Sequence, residues 1–192
     1  MRFPETLVMG ATGRIGRLLQ SHWCSAEIAN QLLWQGRSPV GLDGMAPQVI
    51  VQPLTQPAQL AQAATGRQIL CLAGAVPGRG NVADNWPLAA ATLRAAAPRQ
   101  RVILCSSAAV YGDQTGLLTE TSPLHPVTAY GQAKCEMEQR STALAAELGV
   151  RLCLLRIGNI AGLDACLGGW VPGFQLDQFG EQSVLYRPDP QF

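Results

Sequence analysis

Between the first apolar run of the chain, Thr6 to Met9, and its first helix-prone stretch stands Gly10-Ala11-Thr12-Gly13-Arg14-Ile15-Gly16. No other segment restricts the fold as much. A glycine at the first position permits a tight turn, one at the second lets an anion approach the backbone, and one at the third lets helix and strand pack closely. The helix opening here would face that anion with its first-turn amides. The expected unit is strand, turn and helix, with Gly10, Thr12, Gly13, Arg14, Ile15 and Gly16 around a pyrophosphate. A glycine-rich turn can also serve as a plain connector, so the reading depends on its context.

That context is an alternation. Apolar runs recur at Thr6–Met9, Gln31–Gln35, Val49–Gln52, Gln68–Ala73, Arg101–Cys105 and Arg151–Ile157. Most are nearly continuous in apolar character, as strands buried on both faces of a parallel sheet must be. Between them lie Arg14–Ala29, Gln56–Ala64, Asp84–Ala97 and Pro126–Leu148, rich in Ala, Leu, Gln and Glu and therefore helix-prone. The expected fold is α/β, a Rossmann-type doubly wound parallel sheet with helices on both faces. Gly36–Gln48, with two prolines and three glycines, reads as a loop in place of a crossover helix. Residues 1–161 are expected to form the dinucleotide-binding domain. Residues 162–192 read as an irregular tail, the remnant of a substrate-binding region, too short to be a second domain.

Composition narrows the partners. The 192 residues carry a formal net charge of +1 and are 47% hydrophobic, which excludes a disordered chain and a basic nucleic-acid binder. No apolar run approaches the roughly 20 residues that span a bilayer, so no membrane partner is expected. Met1–Gly10 lacks the apolar core of a secretory signal, which makes cytoplasmic residence the expectation. The six cysteines are scattered without CxxC pairs, and the two histidines are isolated; we expect reduced thiols and no metal site.

The choice of nucleotide is read at the end of the second strand, where NAD-specific proteins place an acid about 20 residues on to bind the ribose hydroxyls. The segment here is Leu32-Leu33-Trp34-Gln35-Gly36-Arg37-Ser38, without an acid. Arg37 and Ser38 could instead hold a 2′-phosphate through charge-assisted hydrogen bonds. Arg37 as a solvated loop arginine is the plainer alternative. NADP is thus the preferred cofactor, with NAD still open.

Thirteen arginines stand against one lysine, Lys134, and that lysine falls four residues after Tyr130, one of three tyrosines. On a helix, positions i and i+4 share a face. An adjacent ammonium favours a phenolate, so the pair could form a tuned acid–base group; an exposed aromatic–lysine pair is the alternative. The fifth strand ends Leu104-Cys105-Ser106-Ser107, at the edge where doubly wound sheets bind ligands. Hydroxyls there can reach a substrate oxygen or merely cap a turn.

Taken together, GATGRIG at 10–16, SSAAVYG at 106–112, YGQAK at 130–134 and LRIGNIAG at 155–162 resemble the extended short-chain dehydrogenase/reductases, specifically the NAD(P)-dependent epimerase/dehydratase family that includes nucleotide-sugar epimerases. The resemblance implies that Tyr130 is the acid–base residue, Lys134 its partner and nicotinamide-ribose ligand, and Ser107 the polarising hydroxyl. Ser107 is preferred to Ser106 because it stands three residues before Val110 of VYG. Ala73, Gly74 and Ile157 would line the cofactor, and Asn85 and Asn159 would approach the substrate. The family often dimerises through the two helices corresponding to Asp84–Ala97 and Pro126–Leu148, so a homodimer is implied.

Three features depart from the family's pattern. The acid after the second strand is absent. The aspartate that commonly contacts adenine after the third strand is replaced by Pro53 or its neighbour Gln52. Family members also continue for roughly another hundred residues that build a substrate domain. The resemblance therefore implies an epimerase, dehydratase or oxidoreductase acting on a sugar nucleotide or similar alcohol. The competing reading is a non-catalytic NAD(P)-binding module or truncated fragment. A flavin- or quinone-reductase-like relative is disfavoured by the paired tyrosine and lysine.

Overall fold

The near-continuous apolar runs form strands, the inner ones covered on both faces and the outer two partly exposed. In the computed structural model, which describes residues 4–23, 28–39, 42, 47–78, 80–158 and 160, they are β1 (Thr6–Met9), β2 (Leu32–Gly36), β3 (Gln48–Ile50), β4 (Gln68–Cys71), β5 (Arg101–Ser107) and β6 (Arg151–Ile157). All five pairings are parallel, in the order β3-β2-β1-β4-β5-β6. The chain runs outward from β1 in one direction and then from β4 in the other. This is the Rossmann-type order, and its switch point lies between the carboxyl ends of β1 and β4.

Alternation along β1 divides the core. Leu7 and Met9 point into one cluster with Leu60 of α2 (Pro57–Ala64), Leu93 of α3 (Asn85–Ala95) and Met137 and Leu144 of α4 (Ala129–Leu148). Val8 points the other way, into a cluster with Leu32, Trp34 and Leu42 that Leu19 and Trp23 of α1 (Arg14–Trp23) cover. Helices therefore lie on both faces, as the apolar pattern required.

Several boundaries move from their expected places. The first helix ends at Trp23 within the described residues, and a short 3₁₀ turn at Ala29–Gln31 leads into β2. The last helix begins at Ala129, not Pro126, because the Thr128 hydroxyl accepts the Gly131 amide at 3.0 Å and caps it. It ends at Gly149 in the left-handed conformation, with φ 65°. Strand β5 runs two residues further than expected, so Ser106 and Ser107 lie within it. The expected tail, residues 162–192, lies outside the described residues.

Candidate active site

The glycine turn closes tightly against β4. Gly10 has φ +76°, and a Cβ on it would stand 2.6 Å from the Ala73 amide nitrogen, so only glycine fits. The third glycine, Gly16, would place a Cβ 2.2 Å from the Ala11 carbonyl; its absence lets α1 start directly on the turn. Inside the turn the Gly13 amide donates to the Gly10 carbonyl at 3.0 Å. Thr12 contributes its carbonyl to the Arg17 guanidinium at 3.2 Å. Gly13 and Arg14 are exposed at the mouth, and Ile15 is half-buried.

From the turn a wall of small residues runs toward the lysine. Ala73 touches Gly10, and a Cβ on Gly74 would come 3.3 Å from Lys134 Nζ and 3.1 Å from Asn85 Oδ1. A wall of small residues between a glycine turn and an ammonium fits an extended dinucleotide. The helix start would hold its pyrophosphate, and Ala73, Gly74 and Lys134 its nicotinamide end.

Lys134 is 4% exposed, and its Nζ donates to the Cys105 carbonyl of β5 at 2.9 Å. Burial pulls its pKa below the ordinary lysine value, while the nearby Cys71, Cys105 and Glu138 oppose this. Burial also pushes the Cys105 thiol up to about 12. The ammonium stands 5.8 Å from the Tyr130 ring centre. Tyr130 is itself held above the ordinary phenol value by burial, countered by a hydrogen bond with the Ser107 side chain. Here the structure departs from the sequence expectation of a phenol lowered by its lysine: desolvation dominates, and the serine supplies the counterweight. Ser107 also accepts the Ala109 amide at 3.2 Å, and it lies opposite Ile157 in the register of β5 and β6.

The other expected residues fare differently. Asn85 is buried, and its amide is committed to the β4–α3 loop: Oδ1 accepts from the Ala75 amide at 3.2 Å, while Nδ2 donates to the Ala75 and Val82 carbonyls at 2.9 and 2.8 Å. It builds the loop beside Gly74, and its polar atoms are engaged with backbone. Arg37 and Ser38 are exposed beyond β2, where the Arg37 carbonyl accepts from Gln52 Nε2 at 2.7 Å. Asn159 lies outside the described residues.

Sequence reading missed a polar network beneath the site. Ser106 points to the opposite face from Ser107 and donates to the buried Glu138 carboxylate. Arg156 meets that carboxylate through Nε, at 3.1 Å to both oxygens, and through Nη2 at 2.8 Å. Arg156 Nη1 donates to the Tyr111 hydroxyl at 2.8 Å and the Glu120 carbonyl at 3.1 Å, and the Tyr111 hydroxyl donates to the Thr119 carbonyl at 2.9 Å. The Glu138 partnership raises the Arg156 pKa further. The available signal was an arginine, Arg156, following the apolar run Leu152–Leu155 of β6, and a glutamate one turn beyond Lys134.

Residues 6–165 match the NAD dependent epimerase/dehydratase family. The chain belongs to that family. It is 37% identical over 87 residues to the UDP-glucose 4-epimerase of Azospirillum brasilense, covering 45% of this chain and 24% of that protein. Among solved structures, the UDP-glucose 4-epimerase of Brucella ovis in complex with NAD superposes with TM-score 0.67 at 22% identity, over 84% of this chain and 54% of that one. The UDP-glucuronic acid 4-epimerase of Bacillus cereus in complex with UDP-glucuronic acid and NAD gives 0.64 at 20% identity, over 79% and 55%. The chain thus spans about a quarter of that curated relative and just over half of these structures.

Among the described residues no three His, Cys, Asp or Glu side chains come together as a metal site. None of their helices is long and apolar enough to cross a membrane.

Proposed function

We propose that this chain carries the cofactor-binding and acid–base part of an NAD(P)-dependent epimerase, dehydratase or reductase of the short-chain dehydrogenase type, acting on a sugar nucleotide or similar alcohol. The observation that carries this is the convergence of Ser107, Tyr130 and Lys134 at the end of a small-residue wall that begins at the phosphate turn. When bound, the nicotinamide would take a hydride from the alcohol carbon and return it to the ketone.

The protein's own part is the proton at oxygen. Tyr130, a phenol protonated at neutral pH, donates its proton to a ketone oxygen, and burial holds that proton more tightly. In the opposite direction its phenolate takes the alcohol proton. Ser107 holds the same oxygen by a hydrogen bond, and Lys134 supports the cofactor ribose while its carbonyl partner on β5 keeps it in register.

For the cofactor we favour NADP. Among the described residues the end of β2 offers the exposed Arg37 and Ser38 and no carboxylate, which suits a 2′-phosphate better than a bare ribose. Titration of NADP⁺ against NAD⁺, repeated with Arg37→Ala, tests this: the variant should lose NADP⁺ affinity selectively, and equal affinities in the parent would refute it. With UDP-sugars as substrates, Tyr130→Phe should abolish turnover.

The second reading is a dinucleotide-binding module without its own catalysis. Dinucleotide binding with no turnover on any sugar nucleotide would favour it. A homodimer through α3 and α4 belongs to the same proposal and is checked by sedimentation.

A further inference from the structure

Gln35 is 1% exposed in β2, and its side chain leaves neither polar atom idle. Its Oε1 accepts the Gly10 amide at 3.1 Å, and its Nε2 donates to the Val51 carbonyl beyond β3 at 2.7 Å. Its own backbone carbonyl takes the Ala11 amide at 3.2 Å. The first residue of the phosphate turn is therefore gripped from two sides. Ala73 of the β4 end fills the space where a Gly10 side chain would be, and the Gln35 amide holds the opposite edge.

We propose that Gln35 is a positioning residue for the cofactor pyrophosphate: its carboxamide sets the place of the Gly10 turn relative to the β3 edge, on the nucleotide side of the pocket. The proposal rests on the dinucleotide reading above. An apolar side chain of similar length would keep the β2 ladder and the Gln35 carbonyl bond to Ala11. It would still leave the Gly10 amide and the Val51 carbonyl without partners, so the turn would relax toward other acceptors.

The test compares a ligand that needs the turn with one that does not. Gln35→Met should weaken NADP⁺ binding about tenfold, the equivalent of one lost hydrogen bond to a charged-ligand site, while adenosine 2′-monophosphate stays within about twofold of the parent. Unchanged NADP⁺ affinity would overturn the proposal, as would equal losses for both ligands, which mark general damage.

Gln35→Glu keeps the question open should the methionine variant fail to fold. A protonated carboxyl can accept from Gly10 and donate to Val51 as the amide does, whereas the carboxylate cannot donate and faces the phosphates. The ratio of its NADP⁺ affinity to the parent's at the same pH should be near unity while the carboxyl is protonated and fall by about tenfold once it ionises, the ionisation followed directly by NMR titration. A ratio unchanged across that ionisation would overturn the assignment. If the parent binds neither these ligands nor NAD⁺, the dinucleotide reading falls first and this inference with it, an outcome distinct from a parent that binds and a variant that does not differ.

Discussion

Replacing Glu138 with leucine should destabilise the protein by about 3 kcal/mol, a magnitude that follows from what the carboxylate leaves behind. The side chain is 4% exposed and receives three contacts from Arg156 and one from Ser106. Removing one partner of a buried pair commonly costs about 3–5 kcal/mol, because the surviving charge stays out of water. Arg156 is 19% exposed and keeps the Tyr111 hydroxyl and the Glu120 carbonyl, which places the cost at the low end. For a chain of this size the loss corresponds to a melting temperature lower by about 6–12 °C. Urea unfolding of Glu138→Leu, Arg156→Met and the double variant would close the cycle. The double variant should recover to within about 1 kcal/mol of the parent, since two apolar groups leave no stranded charge. Additive losses, or a single-variant loss below about 1 kcal/mol, would refute the reasoning that Arg156 of β6 and Glu138 of α4 act as a coupled buried pair.

Lys134→Met should abolish turnover without lowering the melting temperature at neutral pH. The fold depresses the lysine pKa, so the unfolded chain binds more protons between the folded value and 10.5; parental stability therefore rises with pH across that window, and the rise should vanish in the variant. Gly10→Ala should lose dinucleotide binding and stability together, by about 1–3 kcal/mol in denaturant titration, because φ +76° and the Ala73 backbone leave no room for a methyl group. Alcohol oxidation should accelerate as pH rises past 10 toward the raised Tyr130 value, since the phenolate is the base in that direction. Stopped-flow hydride-transfer rates would show it, and a pH-independent rate would count against Tyr130.

The sheet was legible in the sequence because parallel strands covered on both faces have almost no polar positions, and the glycine turn marked where the first one ended. Boundaries were less legible because they depend on side-chain bonds. Thr128 capping Gly131 starts α4 three residues later than composition suggested. Within the site, Tyr130 and Lys134 were visible as a helical pair, but their electrostatics were not. Proximity argued for a lowered phenol, whereas burial of both groups is the larger effect, favouring the neutral phenol and the neutral amine. Gln35 gave no signal beyond being polar in an apolar strand, since its partners lie at Gly10 and Val51, distant in sequence from it and from each other.

The adjacent serines show why one residue of register matters at this site. Because successive side chains of a strand point to opposite faces, β5 sends Ser106 toward α4 and Ser107 toward the crevice. Ser106 is spent on Glu138, and through it on Arg156 and the segment around Thr119 and Glu120. Ser107 is left for Tyr130 and the Ala109 amide. One strand end thus serves as anchor on one face and hydrogen-bonding group on the other. Any shift of β5 that disturbed the Glu138 anchor would also move the hydroxyl that moderates the Tyr130 pKa. Stability and the proposed acid–base chemistry are therefore coupled through two neighbouring residues, and the proposed role of Ser107 rests on the side of the sheet it faces as well as on its distance from Val110.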